Sequence, residues 1–458
     1  PHYPGLPDAA PGVEGNYPSI KPTRVMQTAS KKVIRGWAMY DWSNSVYSLV
    51  ITTTFFPIYF NAVTKKQFGG DVVTFLGRKF INSSLYDYSL AAAYLFIALL
   101  YPVLTSIADT RGNKKAFMKF FCYIGAGSCA LLYFFNGANL WLGILCCMVA
   151  AMGYIGSMVF YNAFLPEIAA PEDRDRVSAM GFSYGYIGSV ILQIIGFILV
   201  ITLTSNPLLG PRITFLLVGI WWAGFAQVTF AALPETKSSQ PVRSKIISEG
   251  FAEMKKVYRE IRELPVLKKF LRGFFFYSMG VQTVMLAATL FGVKMLQLED
   301  TKLIITMVVI QLVAIPGAIW TSRLSGLFGN LKVLIAMVLF WILICIAAYY
   351  TVIFKEKGGN PEMGFYALAI AVGLIMGGIQ SLSRSSYSKL MPETKDTASY
   401  FSYYDFTEKI AIVIGMFIFG LMEEITGSMK NSVLSLIIFF ALGMVWLVDA
   451  YKRSLRND

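Results

Sequence analysis

The stretch RGWAMYDWSNSVYSLVITTTFFPIYF, from Arg35 to Phe60, is long enough to cross a membrane as a helix, since about twenty predominantly apolar residues span the roughly 30 Å of a bilayer core. It nevertheless carries Asp41, Asn44 and Tyr47 inside the apolar run. A carboxylate in hydrocarbon is costly and persists where it faces a polar pathway or a partner, so Asp41 marks a candidate functional site. A fainter version of the same opening lies far downstream. Arg35-Gly36-Trp37 with Tyr40 is echoed by Arg272-Gly273-Phe274 with Tyr277, the first sign of two related halves.

Composition agrees with a membrane protein. The chain is 56% hydrophobic and only 15% charged over 458 residues, with a mean hydropathy of +0.57. That is too apolar for a soluble protein and too long for a single anchor. The net charge of +13 would suit nucleic acid in a soluble chain. Here the basic residues fall in loops between apolar runs, and no nucleic-acid partner is expected. Cys122, Cys129, Cys146, Cys147 and Cys345 lie within apolar runs without metal-ligand spacing, and the one histidine, His2, precedes the first run. Neither a metal site nor a cofactor is expected, and with no nucleophile–base spacing the chain does not read as an enzyme.

Residues 1–25, rich in Pro and Gly, read as a disordered or extraneous leader ahead of Met26. Six apolar spans follow within 26–233, with a polar loop expected from Asn61 to Ser84. Residues 234–269 are a charged linker in which Ser238 to Pro241 make a flexible entry. Ile246, Phe251, Met254, Val257 and Ile261 then recur at helical spacing, predicting an amphipathic helix on the membrane surface. Six more spans fill 270–458. With both termini cytoplasmic, that side holds about 28 of the 40 Lys and Arg and the other about ten, as the positive-inside rule requires.

The halves match in order. Gly112-Asn113-Lys114-Lys115 after the second span corresponds to Gly329-Asn330-Leu331-Lys332 after the eighth, and Leu165-Pro166-Glu167 to Met391-Pro392-Glu393. Ser178-Ala179 with Phe182-Ser183-Tyr184 corresponds to Thr397-Ala398 with Phe401-Ser402-Tyr403. Two like-oriented six-helix halves imply an axis along the membrane normal with a pathway between them, and rocking about a central site gives alternating access.

The turn after the second span resembles the loop between helices two and three of the major facilitator superfamily. Asp109, Gly112, Lys114 and Lys115 fit its pattern, while Thr105 replaces a glycine and the first basic residue is displaced to Arg111. YDWSNS (Tyr40 to Ser45), YNAFLPEIA (Tyr161 to Ala169), GYIGS (Gly185 to Ser189), QSLSRS (Gln380 to Ser385) and FTEKIA (Phe406 to Ala411) resemble the vacuole-effluxer-like, autophagy-related branch of that superfamily. The resemblance implies an all-α polytopic membrane protein with the major facilitator fold, twelve transmembrane helices in two parallel six-helix repeats. It implies small-molecule transport, with amino-acid efflux proposed for eukaryotic members, and a bacterial inner membrane as the setting. It also implies that the first, fourth, seventh and tenth helices line the cavity.

On that basis Asp41 and Arg384 lie at similar depth, about 9–12 Å inside the cytoplasmic boundary at ~1.5 Å per residue, and are expected to bridge or to share a substrate or proton. Asp405 and Lys409, one turn apart on the eleventh helix, can pair, whereas Glu408 and Lys409 are adjacent and expected to face apart. Asn44, Tyr47, Asn162, Gln282 and Gln380 complete the candidate substrate- or proton-handling set. By the repeat, Asp41, Arg384, Asp405, Glu408 and Lys409 correspond to Ser278, Met158, Tyr186, Ser189 and Val190, so these charges are additions to the shared scaffold. Structural readings stand beside the functional ones: Arg384 tying helices through carbonyls, Lys409 snorkelling, Asp405 or Glu408 flanking a helix. Asp109 with Gly112, Lys114 and Lys115 reads as a conformational latch. A cavity holding a guanidinium and carboxylates suits a zwitterion such as an amino acid or short peptide, and substrate competing for Arg384 would free Asp41 to bind a proton. A monomer in the bilayer is expected. The rival readings are a non-transporting receptor or assembly partner, and a carrier of lipid or amphiphile.

Overall fold

The computed structural model describes residues 26–235, 246–297 and 300–456; residues 1–25 with His2, and Ser238 to Pro241, lie outside them. Thirteen long helices run through the described residues. Six form the first half: Lys31–Phe68, Asn82–Arg111, Lys114–Leu131, Leu140–Ala163, Arg174–Thr202 and Leu209–Ala232. Six form the second: Pro265–Lys294, Asp300–Phe328, Asn330–Glu356, Glu362–Leu390, Thr397–Thr426 and Met429–Ser454. Ten of these twelve are long and apolar enough to cross a membrane on composition alone. The seventh and eleventh are as long, and Asp405, Glu408 and Lys409 interrupt the apolar run of the eleventh.

The first helix is not uniformly α. Tyr47–Phe55 widens into a π stretch. Pro57 supplies no N–H and crowds the carbonyl four residues back. The hydroxyls of Thr53 and Thr54 fold back onto the Leu49 carbonyl at 2.8 and 2.9 Å, competing for the backbone ladder. The expected loop from Asn61 to Ser84 requires correction. The first helix continues to Phe68, a hairpin of β1 (Val72–Phe75) and β2 (Arg78–Ile81) follows, and the second helix starts at Asn82. Four-residue strands are too short to show alternation, and the extra helical turns bury Val63 and Thr64 while leaving Lys65 and Lys66 exposed.

The halves meet along the fifth helix, which packs on the eighth and tenth, and along the second and fourth, which pack on the eleventh. On the face where the first helix begins and the twelfth ends, they are locked together. Asp109 accepts hydrogen bonds from the backbone N–H groups of Ala398 (3.2 Å) and Ser399 (2.8 Å) and from the Ser399 hydroxyl (2.8 Å). A carboxylate thus caps the N-terminus of the eleventh helix, where the helix dipole favours it. Lys114 pairs with Asp109 at 3.2 Å and with Glu167, and reaches the Thr397 hydroxyl at 2.6 Å. Gly112, at φ +63°, ends the second helix and lets Lys114 turn back onto Asp109. Lys115 stays within its own half, donating to the Leu233 carbonyl at 3.0 Å.

The second half supplies a reciprocal lock. Ser325 and Asn330 donate to Asp175 on the fifth helix at 2.7 and 2.8 Å, and Lys389 pairs with the same carboxylate at 2.6 Å. Asn330 follows Gly329 at φ +84°, the repeat mate of Gly112. The linker helix Ile246–Glu263 spans both halves on this face. Gly250 abuts the backbone at Pro102 and Val103 of the second helix, while Lys256 pairs with Asp396 at 3.1 Å ahead of the eleventh. Of the apolar row expected on this helix, Val257 and Ile261 are buried and Phe251 is exposed.

These contacts make Asp109 the keystone of one lock. A hydrogen bond to a charged group is worth about 1.5–3 kcal/mol, so Asp109→Asn should shift the halves apart on this face. A cysteine at Ser402, buried one turn beyond Ser399, should then react with a water-soluble maleimide about tenfold or more faster than in the otherwise unaltered chain. The five native cysteines are all buried and contribute little background. An unchanged labelling rate would show that Asp109 does not hold this face shut.

Candidate functional site

Arg384 lies on the tenth helix, and Asp41, Asn162 and Ser178 reach it from the first, fourth and fifth. The sequence expectation that Asp41 and Arg384 stand opposite one another holds as geometry. Arg384 Nη1 and Nη2 donate to Asp41 Oδ2 at 3.3 and 3.4 Å. Nη1 also donates to Asn162 Oδ1 at 3.3 Å, Nη2 to the Ser178 carbonyl at 2.9 Å, and Nε to Ser178 Oγ at 2.9 Å. All five N–H directions are therefore taken, the full capacity of a guanidinium, by four acceptor atoms of which Asp41 Oδ2 serves twice. Aromatic rings enclose the cation: its central carbon lies 4.4 Å from the Phe182 ring centre, 4.9 Å from Trp37 and 5.4 Å from Tyr161. Tyr161 also donates its hydroxyl to Asp41 Oδ2 at 2.7 Å and stacks on Trp37. Both charged side chains are buried.

The fifth helix can approach this cluster only because residue 181 is glycine. A Cβ there would lie 2.5 Å from Asp41 Oδ2 and 3.0 Å from Arg384 Nη2. Gly188 lies as close against the Trp42 carbonyl, continuing a small-residue face that brings the fifth helix onto the first.

Asn162 extends the cluster. Its oxygen must face Arg384, which only donates, so its nitrogen points at Asp405 Oδ1, 3.4 Å away. Asp405 Oδ2 is buried without a hydrogen-bond partner among the described residues. One turn on, Lys409 pairs with Glu408 at 2.6 Å, and Gln282 on the seventh helix donates to the other Glu408 oxygen at 3.1 Å. This corrects the expectation that Lys409 would take Asp405 while Glu408 faced away. The lysine's four-carbon stem bends back to the neighbouring carboxylate, which adjacency of Cβ atoms alone does not forbid. Glu408 and Lys409 keep 19% and 17% of their side-chain surface accessible, against 5% for Asp41 and 3% for Arg384.

The remaining candidates lie beside this chain of groups. Gln380 accepts from Tyr186 at 3.1 Å, joining the tenth helix to the fifth. Asn44 donates to the Met158 sulfur at 3.0 Å, and Tyr47 packs against Tyr154 and Trp222 in the first half. Trp37, Ser178 and Phe182 entered the sequence reading only as repeat landmarks and Tyr161 only within the YNAFLPEIA block, none of them as a site residue. Among the described residues no group of His, Cys, Asp and Glu is placed to hold a metal ion.

With this geometry in view, the likeness to known proteins is specific. The family model described as vacuole effluxer Atg22 like matches residues 29–457. An uncharacterized MFS-type transporter of Bacillus subtilis, YxiO, is 30% identical over 90% of this chain and 93% of its own length. Autophagy-related protein 22-2 of Aspergillus niger is 25% identical over 83% of this chain and 78% of its own. Among solved structures, the human organic anion transporter MFSD10 superposes with a TM-score of 0.66 at 12% identity, covering 91% of this chain and 98% of that one. The Escherichia coli fucose:proton symporter FucP gives 0.65 at 14% identity, covering 92% and 97%; at these identities the structures attest the fold alone. The chain is a multi-pass membrane transporter of the major facilitator superfamily and belongs to its vacuole effluxer Atg22-like family.

Proposed function

We propose that this transporter moves a small zwitterionic metabolite, an amino acid or short peptide, by alternating access coupled to protons. The observation that carries the reading is the charge count along one connected path between the halves. Asp41, Asp405 and Glu408 supply three carboxylates, and Arg384 and Lys409 two cations. With every group ionised, one negative charge is left over in a largely buried site, which is costly. Asp405, with an unpartnered oxygen, is where a proton or a substrate ammonium restores balance.

The two ends of the path differ in what they offer a ligand. Arg384 has no donor to spare in this conformation, so a substrate carboxylate engages it only by displacing Asp41 or Asn162. Glu408, Lys409 and Gln282 are partly accessible and present both signs of charge. Substrate therefore docks first at the eleventh and seventh helices, and its carboxylate draws Lys409 from Glu408 or competes for Arg384. Because Arg384 also holds Ser178, loosening it weakens the seam between the fifth and tenth helices. The excess of Lys and Arg in the loops of the locked face makes that face cytoplasmic, in a plasma membrane as the bacterial relative suggests. The locked conformation is then closed to the cytoplasm.

In proteoliposomes loaded with a panel of amino acids and short peptides, counterflow exchange of at least one should be saturable. Saturable binding without flux across the whole panel would favour a receptor instead. Asp405→Asn, which removes the surplus charge, should retain exchange while losing accumulation driven by a pH gradient; accumulation equal to that of the unaltered chain would take Asp405 out of the coupling scheme. Asp41→Asn should behave differently. It leaves a buried guanidinium without its counter-ion, a loss of about 3–5 kcal/mol, and thermal unfolding in detergent should show a lowered midpoint. In a double-mutant cycle, Arg384→Gln added to Asp41→Asn should cost clearly less than the sum of the two single changes, because the uncompensated charge is then gone. Additive losses would mean the pair is not coupled.

A further inference from the structure

The hairpin of β1 and β2 lies on the face opposite the locks and plays no part in the site. Its two-residue turn is Leu76-Gly77, with φ of +49° and +75°. Both positions require the left-handed region, which Asn-Gly or Asp-Gly adopts readily and leucine does not. The leucine is also 87% exposed. A strained backbone that presents a large apolar side chain to the outside points to a contact beyond the chain itself.

The surroundings say what that contact is. Register pairs Val72 with Ile81 and Val73 with Phe80. Val73 is fully buried against the bundle, while Val72 and Ile81 on the other face are 53% and 56% exposed. Phe80 meets the ring of Tyr88 edge-on, 6.5 Å between centres. Tyr88 heads a line of exposed apolar residues on the second helix, continuing through Leu95, Phe96 and Leu99; this is a lipid-facing stripe, since it is apolar, exposed and on one side of a spanning helix. Tyr88 lies about 9 Å into the helix from Asn82 at ~1.5 Å per residue, the level at which membrane proteins place interfacial tyrosines. The hairpin therefore lies at the lipid edge of the first half. Lys66, Arg78 and Lys79 are exposed around it, complementary to anionic headgroups, while Lys65 is paired with Asp71 at 3.2 Å.

We infer that this hairpin is a membrane-interface anchor that inserts Leu76 into the leaflet opposite the locked face and sets Arg78 and Lys79 against anionic lipid headgroups. Apolar insertion with flanking basic residues is how peripheral segments hold to a bilayer surface. It fixes the end of the first helix beyond its π stretch and the start of the second.

The test is spin-label accessibility in the full-length protein, reconstituted into vesicles of phosphatidylcholine alone or with phosphatidylglycerol. A nitroxide on Leu76→Cys is compared with one on Lys357→Cys, an exposed site between the ninth and tenth helices on the same face. The native cysteines, all buried, provide a clean background. The label at 76 should show a several-fold higher ratio of oxygen to water-soluble nickel-chelate collisions than the label at 357, and the ratio should rise with phosphatidylglycerol. Arg78→Glu with Lys79→Glu should remove that rise. Equal ratios at the two sites would overturn the anchor. So would a label at 76 shielded from both reagents, which would place the tip inside the protein as a lid.

Discussion

A guanidinium buried between two helical bundles is the constraint from which the rest of this structure follows. In a low-dielectric interior Arg384 has to find an acceptor for each N–H or carry a large desolvation cost. Its acceptors come from three helices of the other half: Asp41 from the first, Asn162 from the fourth, Ser178 from the fifth. One side chain thus fixes the distance and register of the tenth helix against half of the molecule. The requirement propagates into packing, because the helices converge on the cation only where Gly181 leaves room for the carboxylate and Trp37, Tyr161 and Phe182 fill the space around it.

The site and the locked face are mechanically continuous. Arg174, at the start of the fifth helix, donates to the Ser388 carbonyl of the tenth at 2.6 Å, and Arg384 donates back to the Ser178 carbonyl of the fifth at 2.9 Å. Each arginine lies four residues from the carbonyl that the other arginine engages on its helix, one turn or about 6 Å along the axis. The two helices are cross-stitched by reciprocal bonds. Separating them at the face requires the inner stitch to yield as well as the outer one. A ligand that alters the charge around Arg384 therefore acts on the same seam as the Asp175 and Lys389 lock, with no intervening relay.

Much of this was legible from residues alone. Asp41 in an apolar run and Arg384 eight residues before Pro392 were enough to set two opposite charges at one depth, because helical rise is fixed. The locks were half legible. Asp109 and Lys114 belong to a recognisable turn, but Asp175 and Lys389 are charges near helix ends like many others, and nothing local marks them as partners across the fold. Tyr161 and Ser178 escaped for a similar reason: a hydroxyl at membrane depth reads as a packing group until the cation it serves is in place. The Glu408–Lys409 pair defeated a rule about side-chain direction, because a lysine stem is long enough to disregard where its Cβ points. The hairpin was invisible, being shorter than the window in which alternation can be seen.

The repeat sharpens what these charges are for. If Asp41 and Arg384 merely held a six-helix half to its partner, the related positions Ser278 and Met158 would face the same demand, since the scaffold is duplicated. They carry a small hydroxyl and a thioether instead, and Met158 takes the Asn44 amide of its own half at 3.0 Å. The duplicated scaffold therefore does not demand this charge pair at both of its copies. Five ionisable groups gathered where the halves meet, at a desolvation cost that the repeat-related positions avoid, are therefore an addition to the scaffold that closure alone does not explain. On the proposed reading that asymmetry matches a zwitterion, with a carboxylate at one end and an ammonium at the other, which unlike charges set along one path would orient.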